Sequence, residues 1–388
     1  MKIENKYHLT YCTNIHSGES WREIFSALQT SIPVIKMNIS PKNPFGIGLR
    51  LSDLASRELS DKTQLKKFHG WLVKNNLFVF TINGFVYGGF HNQIVKDKVH
   101  LPDWVSEERL EYTLRMFGIL SQLLPEGMDG GISTSPLSYK FWHKNAKEIE
   151  NVYLNSAKNI RKIANELHKI KTKTGKILHL DIEPEPDGLI ENTEETINYF
   201  RKYLFGEADE IIREHVRICY DICHSAVEYE KPADVLRKFS SAGIKIGKVQ
   251  VSAALKVHFP NDNSESMKIA GLLKPFTEST YLHQTIQKNS DGSLTKYSDL
   301  PSALENIFDP EAKEWRIHYH VPVFMKTYNR LYSTQKDILD VFSEWRKNNF
   351  TNHFEVETYT WDVLPPSERL PLEESITREL EWTRNNLK

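Results

Sequence analysis

A chain of 388 residues with 39% hydrophobic and 26% charged side chains can bury a large core, which excludes an intrinsically disordered polymer. Fifty Lys and Arg offset fifty-one Asp and Glu, so a net charge of -1 offers no global field for nucleic acid or an anionic membrane. The first residues lack an apolar signal region, no run of about eighteen apolar residues occurs, and three cysteines (Cys12, Cys219, Cys223) make no disulfide framework; a soluble cytoplasmic protein with free thiols and no membrane insertion is expected.

Short β-branched or aromatic runs alternate with longer stretches of helical period, the pattern of βα units. The first four predicted strands are Leu9–Asn14, Gly48–Leu51, Leu77–Asn83 and Gly130–Thr134. Polar groups gather where they end: Asn14 with His16 after the first, and Asn83 ahead of Phe85 and Tyr87 after the third. Past Trp142, a helix is predicted over Glu148–Lys171, where Ile149, Val152, Ile160, Ile163, Leu167 and Ile170 recur at steps dominated by three and four, and Gly175 supplies a stop.

The fifth strand, Ile177–Glu183, directs Asp181 and Glu183 to one face and Leu180 and Ile182 to the other. A carboxylate on an interior face needs a partner, either a bound cation or a structural salt bridge. A helix follows near Asn192, with Asn192 or Thr193 as cap and Glu194 and Glu195 in its first turn. The sixth strand, Val216–Asp221, ends in Asp221 with His224 three residues on. That spacing suits a ligand pair, and equally a turn-capping aspartate beside a packed imidazole.

The seventh strand, Lys248–Ser252, brings Gln250 and Ser252. The polar stretch Leu255–Trp315 is too long for an ordinary connection and is expected to be an insertion. Ile317–Phe324 is then a strand expected beside the barrel mouth, with His318 and His320 on one face, either at metal-ligand reach or toward solvent. In the eighth strand, Phe354–Tyr359, the residues Glu355, Glu357 and Tyr359 share a face with the preceding His353, and Glu357 lies nearer the C-terminal end. Together these elements predict one α/β domain over residues 1–388: a (β/α)8 TIM barrel with a long insertion, about 255–315, between strands seven and eight. Chemistry in such barrels sits at the C-terminal ends of the strands, where these side chains converge.

At these residues the sequence resembles the xylose-isomerase-like TIM-barrel superfamily, which includes sugar isomerases, ketose 3-epimerases and zinc-dependent apurinic endonucleases. The resemblance implies a divalent metal held by Glu183, Asp221, Gln250 and Glu357, with His224 touching substrate or a second metal. Gln250 stands where the superfamily usually has histidine, and its harder oxygen donor favours Mn or Mg, with Zn an alternative. His318-x-His320 resembles a paired-ligand motif that serves a second metal. A closer likeness is to the EboE group of metabolite traffic proteins, through TINGFVYGGFH (81–91), LPDW (101–104), HLDIEPEPDG (179–188), YDICHSAVEYE (220–230), HYHVPVF (318–324) and FEVETYTWDVLP (354–365).

The resemblance implies an isomerase or epimerase acting on a sugar, polyol or cyclitol-like metabolite, in a pathway that makes or moves such a molecule. Glu183 and Glu357 would exchange a substrate proton and His224 would orient a substrate oxygen. Asn14, His16, Asn83, Phe85, Tyr87, Trp142 and Ser252 are the candidate pocket residues. Two other classes remain open: a metal-dependent phosphoester hydrolase, which would need clustered cations at His224, His318 and His320, and a non-catalytic carrier.

Overall fold

The computed structural model describes residues 1–3, 7–89, 94–206, 209–260, 262–278, 280–328, 330–361, 364 and 369–388. Phe90 and His91 of the stretch 81–91, and Asp362, Val363 and Pro365 of the stretch 354–365, lie outside the described residues.

Its strands are β1 (Lys2–Ile3), β2 (Tyr7–Tyr11), β3 (Phe45–Arg50), β4 (Leu77–Asn83), β5 (Gly130–Thr134), β6 (Leu178–Ile182), β7 (Val216–Asp221), β8 (Ile246–Val251), β9 (Ala253–His258), β10 (Thr285–Asn289), β11 (Leu294–Tyr297), β12 (Ala312–Val321), β13 (Thr327–Tyr328), β14 (Leu331–Ser333) and β15 (His353–Val356). One sheet has the order β1-β2-β15-β8-β7-β6-β5-β4-β3, and apart from β1 its neighbours run parallel. A parallel bridge between Cys12 and Gly48 joins its two ends, so eight parallel strands make a nearly closed barrel. At the β2–β3 edge, threonine hydroxyls supplement the ladder: Thr10 Oγ1 donates to Gly46 O at 2.8 Å and accepts from Gly48 N at 3.1 Å.

The helices lie outside. The long one, Ala146–Thr174, is capped by Asn145 and ends at Gly175 with φ 75°, a left-handed position that glycine adopts without steric cost. Asn192 caps Thr193–Tyr199 by accepting from Glu195 N. Among the described residues no helix is long and apolar enough to cross a membrane.

Both faces of the barrel strands are buried, but they differ in chemistry. Leu180, Ile182, Val249, Val251, Phe354 and Val356 belong to the apolar core, whereas the alternate positions His179, Asp181, Lys248, Gln250, His353 and Glu355 form a polar set. Lys248 Nζ meets Glu355 Oε2 at 2.5 Å with both side chains fully buried. Gly48 makes room for that pair, since a Cβ there would lie 1.8 Å from Glu355 Oε1.

Several predicted strands end earlier in the structure. The first stops at Tyr11, so Asn14 sits in the short helical turn Thr13–Ile15. Glu183 follows β6, and Glu357 and Tyr359 follow β15, because the parallel ladder of β15 with β2 ends at Val356 and Tyr11. These carboxylates therefore stand on the barrel rim.

Between β8 and β15 the chain builds a second, antiparallel sheet of order β11-β10-β12-β9-β14-β13. It begins at Ala253, directly after Ser252, and takes in the predicted strand Ile317–Phe324 as far as Val321, where Pro322 removes a ladder donor. The β12–β9 register shifts between Ile317 and His320.

Candidate metal centre

Strands β6, β7 and β15 each deliver one carboxylate to the rim. Glu183 is fixed just beyond β6 by its N–H, which donates to Thr134 O at 3.0 Å. Asp221 ends β7 and caps the next turn: its Oδ1 accepts from His224 N at 3.1 Å and from Ser252 Oγ at 2.6 Å. Glu357 is held by its N–H to Val251 O at 3.1 Å, and one of its oxygens accepts from the Tyr359 hydroxyl.

One oxygen from each of the three lies within 4.8 Å of the other two. Glu183, Asp221 and Glu357 are only 2%, 1% and 5% exposed, and Glu183 Oε2, Asp221 Oδ2 and Glu357 Oε2 have no hydrogen-bond partner among the described residues. Burial, followed by the neighbouring carboxylates, pushes the pKa of Glu183 and of Glu357 well above the usual range. For Asp221 burial acts upward, but His224 and His320 and the hydrogen bonds from Ser252 and His224 N outweigh it and lower its pKa. Converging carboxylates with unpartnered oxygens fit a divalent cation, which would satisfy those oxygens and offset their mutual repulsion.

A group of histidines adjoins this centre. Each uses Nδ1 on an oxygen acceptor: His224 on Pro184 O at 3.1 Å, His318 on Gln284 Oε1 at 2.8 Å and His320 on Glu357 O at 3.1 Å. With Nδ1 donating, the neutral ring leaves Nε2 as the lone-pair nitrogen. Burial lowers the pKa of His224 to about 4 and holds His318 well below the usual range, so both rings are neutral near pH 7. Ligand atoms of Asp221, His224 and His320 fall within 4.8 Å of one another, as do those of Glu185, His224 and His318.

Both groups open onto one cavity of about 350 Å³. The barrel contributes Asn14, Asn83, Phe85, Glu183, Glu185, His224, Glu357 and Tyr359, and the second sheet with its loops adds Tyr281, His283, Gln284, His318 and His320. The structure thus brings Asn14, Asn83, Phe85, Glu183, His224, His318, His320 and Glu357 to a common space. Ser252 and Gln250 lie behind the wall: Ser252 holds Asp221, and Gln250 Oε1 accepts from Cys219 Sγ at 3.1 Å while its Nε2 has no hydrogen-bond partner.

Three residues predicted for the pocket stand elsewhere. His16 Nε2 pairs with the Tyr11 hydroxyl at 2.7 Å, Tyr87 packs edge-on against Tyr112 at 5.0 Å, and Trp142 Nε1 donates to Asp97 Oδ2 at 2.8 Å. All three lie beyond the ends of their strands, where the chain has already turned. Conversely, Glu185, His100, Tyr281, His283 and Gln284 line the cavity without having been singled out. Glu185 repeats the two-residue step from Glu183 in EPEP, a usable signal; the others come from loops or a polar stretch with no such period.

No family model and no curated protein matches this sequence. Among solved structures, a xylose isomerase-like TIM-barrel protein from Mycobacterium smegmatis in complex with magnesium matches with a TM-score of 0.55 and 10% identity, over 100% of this chain and 98% of that one. An IolI protein with a bound zinc atom matches with a TM-score of 0.47 and 14% identity, over 98% and 97% of the two chains. A probable 3-DHS dehydratase, AsbF, from Bacillus anthracis matches with a TM-score of 0.45 and 12% identity, over 96% and 97%. The fold is that of the xylose isomerase-like TIM barrels.

Proposed function

We propose that this barrel is a divalent-metal-dependent isomerase or epimerase of a small polyhydroxylated metabolite, of the sugar, polyol or cyclitol kind. The observation that carries the reading is the convergence of Glu183, Asp221 and Glu357, with three oxygens that have no hydrogen-bond partner among the described residues, beside the cavity that Glu183 and Glu357 line. These three would hold the cation; Gln250, the fourth ligand that the resemblance implied, stands behind them with its Oε1 accepting from Cys219 Sγ. Oxygen donors suit Mg or Mn, in accord with the magnesium bound by the Mycobacterium smegmatis protein of the same fold.

A cation there would supply Lewis acidity toward vicinal substrate oxygens and acidify the adjacent C–H. Glu183 and Glu357, first residues beyond β6 and β15, would take and return a carbon-bound proton. His224 would present Nε2 to a substrate hydroxyl, and Phe85 and Tyr281 would shield the reacting carbon from water. The likeness of the motifs to the EboE group would suit a reaction in a pathway that makes or moves a small metabolite.

A second reading, metal-assisted hydrolysis of a phosphoester, is favoured by the neighbouring Glu185, His224, His318 and His320, which offer a second cation site. Incubation with Mn2+ and a panel of sugars, polyols and cyclitols in heavy water separates the two. The isomerase reading predicts deuterium entering a substrate C–H position, and Glu357→Gln should slow that exchange at least ~100-fold while the fold is kept. The hydrolase predicts phosphate release without exchange. A panel member that binds tightly yet shows no exchange would overturn the isomerase reading.

A further inference from the structure

At the opposite end of the barrel from the carboxylate centre, His168, Glu214 and His215 come together on two helices. His168 lies near the C-terminal end of Ala146–Thr174, and Glu214 and His215 close the short helix Glu210–His215 that leads into β7. Each residue offers a ligand atom within 4.8 Å of the other two.

The lone pairs are prepared. The side chain of His215 is fully buried, its Nδ1–H donates to the backbone carbonyl of Leu178 at 2.7 Å, and its Nε2 has no hydrogen-bond partner. That is the arrangement of a metal-ligating imidazole, in which a backbone acceptor fixes the tautomer and aims the other nitrogen. Glu214 Oε2 lies 3.3 Å from that Nε2, while Glu214 Oε1 is held by Lys171 Nζ at 2.6 Å, so one carboxylate oxygen is anchored and the other is left for a ligand. His168 Nδ1 is buried and also unpartnered. Without a cation, two ring nitrogens and a carboxylate oxygen face one another with no proton shared by good hydrogen-bond geometry.

We infer that His168, Glu214 and His215 form a second, peripheral transition-metal site, for a borderline cation of the zinc class, that fastens the long helix to the start of β7. Two imidazoles and one carboxylate match the donor set such cations take, and leave a fourth position for water. Its place at the N-terminal end of the barrel strands assigns it to stability rather than turnover.

The test is zinc stoichiometry of the full chain by competition with a colorimetric chelator, comparing wild type with His168→Gln and Glu214→Gln. His168 lies on the outer helix layer, so its variant tests the site without disturbing the core. Each variant should bind one equivalent of Zn2+ fewer than wild type and lose the thermal stabilisation that equivalent confers, while deuterium exchange or metal binding at the barrel mouth is unchanged. In His168→Cys, Co2+ should produce a thiolate charge-transfer band, which locates the ion at that residue. Equal zinc stoichiometry in wild type and both single variants, or no charge-transfer band in His168→Cys, would overturn the site. Failure of the isomerase reading would leave these outcomes untouched, because none of them uses the mouth.

Discussion

Lys248 and Glu355 sit face to face in the barrel interior, beneath the carboxylate centre, with no exposed surface on either side chain. Two buried charges that satisfy one another gain little over an apolar pair, but either left alone is costly. Lys248→Met should therefore destabilise the protein by about 3–5 kcal/mol, and the double variant with Glu355→Leu should recover most of that loss. Denaturant unfolding of the two singles and the double checks this; equal losses in the single and the double would refute a coupled pair. At this scale the sequence was informative where two polar residues recur at a strand's two-residue step, as in Asp181 with Glu183 and Glu355 with Glu357. Position along the strand pointed to the later member of each pair, Glu183 and Glu357, as the one nearer the rim, but not to where each strand stops. Both Glu183 and Glu357 are first residues beyond their strands.

The predicted strands over Leu77–Asn83, Gly130–Thr134 and Val216–Asp221 coincide with β4, β5 and β7, because fully buried parallel strands are continuous apolar or β-branched runs with abrupt polar ends. The polar segment after β8 gave no such contrast. Its strands β10 and β11 are paired antiparallel with one side partly open, and since polar Thr285 and Gln287 are buried while apolar Leu294 is exposed, no apolar alternation marks them. The C-terminal helix Leu372–Leu387 carries a testable buried acid, Glu379, which accepts from Trp361 Nε1 at 3.1 Å and Val323 N at 2.9 Å. Burial raises its pKa to about 8 from an ordinary 4.5. Between those values the folded state holds a proton that the unfolded chain has lost, so this contribution to stability declines as pH rises from about 4.5 through 8. Glu379→Gln removes an acceptor and should be less stable at pH 5, with its deficit against wild type shrinking toward pH 8 by at most about 1.4 kcal/mol per pH unit. Thermal melts of both proteins across that range decide it; a constant difference would show that Glu379 is ionised in the fold.

The two sheets make the cavity jointly, and ion pairs hold them in place. Lys296 of β11 reaches Glu191 and Glu228, both at 2.8 Å, on the barrel's loops. A ligand that binds the folded state alone adds stability as the logarithm of its concentration over Kd, about 4 kcal/mol at a thousandfold excess. Chelator-stripped protein should therefore melt roughly 5 °C below protein saturated with Mn2+ at that excess. Asp221→Asn should abolish most of this shift, and an undiminished shift in that variant would remove Asp221 from the centre.

The ring also has an order of manufacture. β2, the first barrel strand to be made, pairs along its length with β15 through His8–His353, Leu9–Phe354, Thr10–Glu355 and Tyr11–Val356, while on its other edge a single bridge and the threonine hydroxyls join it to β3. On a ribosome that strand emerges more than three hundred residues before its ladder partner. The nascent chain must keep an unpaired edge until residues 353–356 have been made, so closure of the barrel, and with it the delivery of Glu357 to Glu183 and Asp221, waits on β15. A chain stalled before residue 353 would display β2 to solvent, and a permuted chain that begins at β3 and ends at β2 would shift the late junction from the β2–β15 ladder to the hydroxyl-bridged edge.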